Sequence, residues 1–238
     1  MIAAFNGVQA PGLAIHTVGT PVRILLAELD STAFEPVVVG VRPGTPELSA
    51  RSVLTTHGFS VAVGSGFVSE FRPISPLGLL QTDGVLVNEL SIHGYTRIVG
   101  VRDHHLTVVG RRDYAREMFD SALQVGPGIV ENGVLDISER ELGLPAYFRA
   151  FIATCEGRTL VGISLEPMHL YDVGRDFLAF ARAAHLRCGE VVNLSGDREA
   201  VLTAQNPDAA TFVHFGYPDL ARASLIGFRR RAQRPAQP

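Results

Sequence analysis

The chain of 238 residues has no lysine; all 21 of its basic residues are arginine. That absence excludes Schiff-base chemistry, a P-loop lysine and a Ser-x-x-Lys nucleophile together. Cysteine is scarce. Cys155 and Cys188 have no Cys or His partner at metal-ligand spacing, so no cysteine-based zinc site is expected, and both read as buried free thiols. No apolar run approaches the roughly 20 residues of a bilayer span, and no membrane partner is expected. The opening Met1-Ile2-Ala3-Ala4-Phe5-Asn6-Gly7 lacks a basic stretch followed by an apolar one, which leads to the expectation of a cytoplasmic protein. A net charge of −3 does not suit a nucleic-acid binder that works by neutralising phosphates. With 46% hydrophobic and 19% charged residues, the chain is expected to fold rather than stay disordered. No repeat or linker divides it. One domain over residues 1–228 is expected, followed by a polar, proline-bearing tail at 229–238 read as disordered.

The apolar runs are short, β-branched and punctuated by turn residues, the pattern of a strand-rich domain. Strands are expected at Val22–Leu29, Pro36–Val41, Ser60–Val63, Gly78–Gln81, Val85–Asn88, Arg97–Val101, Leu106–Val109, Ala122–Val125 and Gly128–Val130. Further strands are expected at Arg149–Cys155, Thr159–Leu165, Val191–Leu194, Ala200–Thr203 and Thr211–Phe215. Thr82-Asp83-Gly84, Glu131-Asn132-Gly133 and Cys155-Glu156-Gly157 each place a glycine where a tight hairpin wants positive φ. Two segments read as helices. Glu47–Thr56 ends at a glycine stop, and Leu170–Leu186 carries apolar residues at helical spacing. The order strand 159–165, helix 170–186, strand 191–194 is a β-α-β crossover, whose two strands run parallel. The fold class is therefore α+β: a strand-rich mixed β-sheet domain with few helices and one such crossover.

Chemistry-bearing side chains gather near the ends of the crossover strands, where parallel sheets tend to bind ligands. Asn193-Leu194-Ser195-Gly196-Asp197-Arg198-Glu199 packs an amide, a hydroxyl, two acids and a guanidinium into one turn. Ser164-Leu165-Glu166-Pro167-Met168-His169 leaves the other strand, so neighbouring strands would put Glu166 and His169 on one rim with Asp197 and Arg198. The competing reading makes the first stretch a polar surface turn, Glu166 a solvated charge and His169 a helix cap. Gly64-Ser65-Gly66 follows an apolar strand, and its small residues would let backbone N–H groups approach a ligand. It lacks the third glycine and following helix of a nucleotide fingerprint. His104-His105, if extended, points its imidazoles opposite ways and reads as structural. No metal or cofactor is called for.

These pieces, in this order, resemble the phosphodiester glycosidase family, whose known activity removes a sugar from a sugar-1-phosphodiester. The resemblance is carried by the glycine turn, the hairpin Pro76–Gly84, the stretch Ala122–Gly133, Arg149, Leu170-Tyr171-Asp172 and Asn193-Leu194-Ser195-Gly196. The stretch Ile163–Asp172 is similar to the smaller bacterial branch of that family. The resemblance implies a small-molecule substrate. Taken with the two polar clusters, it leaves Glu166, His169 and Asp197 as candidate catalytic residues. Arg149 and Asn193, which keep the family pattern, and Ser195, Arg198, Gly64, Ser65 and Gly66 from the polar and glycine turns are candidates for substrate binding. Two departures stand out: Gly64 occupies the family's asparagine position, and Ser195 occupies its aspartate position. A serine cannot carry a carboxylate's charge, so Asp197, Glu199 or Glu166 would have to replace it. Three functions follow: a hydrolase or lyase on a glycosylated or phosphorylated compound, the same fold reused for a tailoring or ring-forming step in specialised metabolism, or a non-catalytic binding protein.

Overall fold

A computed structural model describes residues 2–42, 47–206 and 211–232. The largest sheet has seven strands, in spatial order Leu13–Val18, Ile24–Asp30, Arg158–Ser164, Arg149–Cys155, Cys188–Gly196, Gly128–Glu131 and Val134–Leu135. A second, of five, orders Phe212–Gly216, Val201–Gln205, Val61–Ser65, Ser224–Arg230 and Phe34–Gly40. A third, also of five, orders His105–Gly110, Arg97–Arg102, Ser121–Val125, Leu80–Thr82 and Val85–Asn88. Phe67–Phe71 and Ile74–Leu77 form a separate ribbon. The strand-rich α+β class is thus present. Every ladder among the described residues is antiparallel, where a mixed sheet was expected.

The β-α-β crossover exists in a split form. Strands Arg158–Ser164 and Cys188–Gly196 both pair antiparallel with Arg149–Cys155, which lies between them. They are therefore parallel to each other without touching. The helix Leu170–Ala183 crosses over this trio and buries Leu170, Val173, Phe177, Leu178 and Ala181 against one sheet face, with Phe151, Leu160 and Val191. The other face, with Ile152, Val161, Val192 and Leu194, packs into a larger core shared with Val63, Leu202, Ile226, Val99 and Leu123 of the other two sheets. Burial on both faces explains the unbroken apolar runs in these central strands.

Local chemistry sets the turns and caps. Asp83 and Gly84 take φ of 50° and 76°, and Asn132 and Gly133 take 51° and 76°, which is the backbone a two-residue hairpin turn needs. The shorter helix is Ala50–Thr56, with Ser49 as N-cap in a capping box with Ser52. His104 is not in an extended pair: at φ 62° it occupies a turn, with Nδ1 2.9 Å from Glu35.

Two expectations are corrected. Cys155 and Cys188 are cross-strand partners joined by a disulfide, not free thiols. The pairing was invisible at a separation of 33 residues because it depends on the strand register created by the crossover. The strand Ser224–Arg230 also takes in Arg229 and Arg230, the first residues of the segment read as a disordered tail. Residues 233–238 of that segment lie outside the described residues.

Candidate functional site

Arg149 opens its strand opposite Gly196. Its amide donates to Ser164 Oγ at 2.8 Å and its Nε donates to the Met168 carbonyl at 3.2 Å. Its Nη2 stands 3.5 Å from Glu141 Oε1, and its guanidinium carbon lies 5.2 Å from the centroid of the Tyr147 ring. Burial pulls the Arg149 pKa below the ordinary arginine value, against the opposing pull of Glu141 and Tyr147. Glu141 comes from the short 3-10 segment Glu139–Gly143. Its Oε2 accepts from the Tyr171 amide at 3.1 Å and lies 3.9 Å from His169 Nδ1. A carboxylate thus sits over the first turn of the crossover helix, where exposed N–H groups favour negative charge. His169 holds the N-cap position without a side-chain cap bond, and its Nδ1 is buried with no hydrogen-bond partner.

The other expected residues do not join this group. Glu166 accepts from Arg23 Nε at 2.8 Å, and Arg23 also reaches Asp176 at 3.2 Å. No contact of Glu166 with Arg149, His169 or Asp197 is found among the described residues. The intervening strand explains this, since Arg149–Cys155 separates the two strands that were read as neighbours. Asn193 is buried and donates Nδ2 to the Gly126 carbonyl at 3.1 Å, leaving its Oδ1 without a partner. Ser195 is buried and donates Oγ to the Gly64 carbonyl at 3.0 Å.

The glycine turn closes on its own chain. A Cβ at Gly64 would come 2.3 Å from the Glu199 carbonyl, and one at Gly66 would come 2.4 Å from Ser224 Oγ. The Gly66 amide is taken by the Leu194 carbonyl at 3.1 Å. Ser65 Oγ is buried and unpartnered.

Asp197, Arg198 and Glu199 form a single 3-10 turn, with Asp197 in the left-handed region at φ 52°. Beneath it lies Arg222, 1% exposed. Arg222 donates to the carbonyls of Leu220 at 2.7 Å, Glu199 at 3.2 Å and Arg198 at 3.3 Å. Burial pushes its pKa down to about 10. Burial also raises the Glu199 carboxyl, although Arg222 and Arg198 oppose the shift. Asp197 borders a cavity of about 210 Å³ whose other walls are Phe148, Ala200, His214, Phe215, Gly216 and Tyr217. Arg149 does not line this cavity, although the Asp197 amide donates to the Phe148 carbonyl at 2.8 Å. The guanidinium and the apolar cavity therefore flank the same peptide without sharing a space.

Sequence reading missed Glu141, Tyr147 and Arg222. Glu141 belongs to a segment with no periodic pattern, and Arg222 resembles any surface arginine until its burial is known. No group of three or more metal-ligating side chains occurs among the described residues.

No family model and no curated protein matches the sequence. Among solved structures, the strand-rich fold resembles that of a phosphodiester glycosidase domain. The zebrafish N-acetylglucosamine-1-phosphodiester alpha-N-acetylglucosaminidase catalytic domain, auto-inhibited by its pro-peptide, is similar with a TM-score of 0.66 at 14% identity, covering 92% of this chain and 82% of that one. A hypothetical protein from Synechocystis is similar with a TM-score of 0.60 at 10% identity, covering 92% of this chain and 62% of that one. At such identities the likeness carries the fold alone.

Proposed function

We propose that the chain is a small-molecule enzyme that holds the anionic group of a glycosylated or phosphorylated compound at Arg149. The supporting observation is the desolvated Arg149 guanidinium beside Gly196, with Glu141 and the unpartnered His169 Nδ1 at hand. A shielded arginine is a strong phosphate ligand because its charge is poorly screened and its N–H groups match two oxygens. Hydrolysis of a glycosyl phosphodiester would break the sugar C–O bond to phosphate and form one to the oxygen of water. The phosphate leaves as an anion on Arg149, and the water's proton passes to the His169–Glu141 pair. In this reading Glu141 takes the carboxylate role assigned from sequence to Glu166.

One observation favours the second reading, the fold reused for another reaction in specialised metabolism. Arg149, Glu166, Asn193 and Asp197 do not converge, and the cavity at Asp197 is walled mainly by apolar and aromatic groups. The test is incubation with a UDP-sugar and a nitrophenyl sugar phosphodiester. Sugar release that falls at least about tenfold in Arg149→Ala and Glu141→Gln supports hydrolysis. Absence of release, or rates unchanged in both variants, removes the Arg149 assignment.

A further inference from the structure

The geometry points to a second binding site, for a small organic cation such as a quaternary ammonium group, in the cavity bounded by Phe148, Phe215, Tyr217 and Asp197. The cavity measures about 210 Å³ and stands apart from the Arg149 group, so the inference does not rest on the proposed reaction. Phe148 and Phe215 have ring centroids 6.0 Å apart and are tilted by 52°. They therefore present ring surface and edge to the same space, and Tyr217 adds a third, 63% exposed, aromatic wall. Ring faces carry negative potential and attract cations, more strongly where water is excluded.

Asp197 supplies the formal charge. Among the described residues its carboxylate has no hydrogen bond and no ion pair; Arg198, next in the chain, is exposed and does not line the cavity, and two other nearby guanidiniums are committed elsewhere. Arg149 faces Glu141, and Arg222 is spent on three backbone carbonyls. The backbone at Asp197 is also held in place, since its amide is bonded to Phe148 and its turn is fixed from below by Arg222. An anion here would meet a carboxylate and three aromatic walls. A neutral ligand would bury the same apolar area without the charge attraction, and His214 at the wall leaves room for a hydrogen-bonding tail.

The experiment titrates choline, and separately its neutral isostere 3,3-dimethylbutan-1-ol, into the whole chain while following the methyl proton resonances. Choline is expected to saturate with an upfield ring-current shift, and the isostere to bind at least about tenfold more weakly. Asp197→Asn, which the left-handed backbone tolerates, is expected to weaken choline at least about fivefold and to leave the isostere unchanged. Equal affinity for the two compounds, failure of choline to saturate, or unchanged choline affinity in Asp197→Asn would each overturn the site. The isostere comparison on the native chain stands even if the variant does not fold.

Discussion

Arg222 owes its importance to what it touches. A buried guanidinium that satisfies three carbonyls fixes the turn carrying Asp197 and stands 3.9 Å from the Glu199 carboxylate. Arg222→Met strips donors from those carbonyls and removes the buried counter-charge of Glu199, so a loss of about 3–5 kcal/mol is expected. Urea unfolding measures it, and a loss below about 1 kcal/mol would show the clamp to be dispensable. Glu190 offers a pH-dependent case. Burial raises its carboxyl, Glu131 and Asp136 add to the rise, and Arg97 opposes it. A carboxyl raised on folding contributes stability that is complete below its unfolded value and is lost as pH rises through the raised one. Glu190→Gln cannot ionise. Its melting temperature should match the native chain near about pH 4 and exceed it increasingly as pH rises from there through the raised value. A constant difference across that range would contradict the burial argument. Arg149 entered the sequence reading through the family resemblance, and its role belongs to the proposed function. Glu141 could not enter that way, because only the folded chain brings it to Arg149.

At the scale of the element, propensity and packing compete, and the crossover helix shows which wins. Gly174 lies in its middle, where alanine would ordinarily gain about 1 kcal/mol. A Cβ there would stand 2.6 Å from a Leu135 methyl and 2.8 Å from the Ile129 Cγ2. Overpacking of this kind costs about 1–3 kcal/mol, so Gly174→Ala should destabilise rather than stabilise, and thermal melts decide the sign. Ser49→Ala should cost about 1 kcal/mol by removing the cap of Ala50–Thr56. Strands with turn glycines and apolar runs were readable: Val85–Asn88 and Arg149–Cys155 match their expected limits. Leu13–Val18, Phe67–Phe71, Ile74–Leu77, Val134–Leu135 and Ser224–Arg230 were not anticipated. Leu13–Val18 breaks its alternation of buried and open positions before its end, and Val134–Leu135 is too short for any period to register. The order of strands was harder still. Local pattern makes a crossover recognisable but does not say that a third strand will slip between its two arms.

For the molecule as a whole, the disulfide ties two strands that both belong to the central trio. Closing a loop of 33 residues restricts the unfolded chain by roughly 3–4 kcal/mol in the loop-entropy account. Thiol titration in denaturant should find no free thiol before reduction and two after it, with a lower melting temperature in the reduced protein. Such bonds persist in oxidising surroundings, which bears against the cytoplasmic placement expected from the sequence. We also propose that the chain unfolds as one unit, since one buried cluster runs from Phe5 to Phe228. Equal calorimetric and van't Hoff enthalpies would support this, and two separable transitions would refute it. The position of Ser224–Arg230 has a consequence for synthesis. It is inserted between Phe34–Gly40 and Val61–Ser65, two strands made far earlier. Until Arg230 has cleared the ribosome, the nascent polypeptide carries an open slot with two bare edges, the condition in which partly made sheets recruit wrong partners. Completion of this protein's second sheet therefore waits for that strand, and premature termination anywhere before it yields a sticky product rather than a shorter working one.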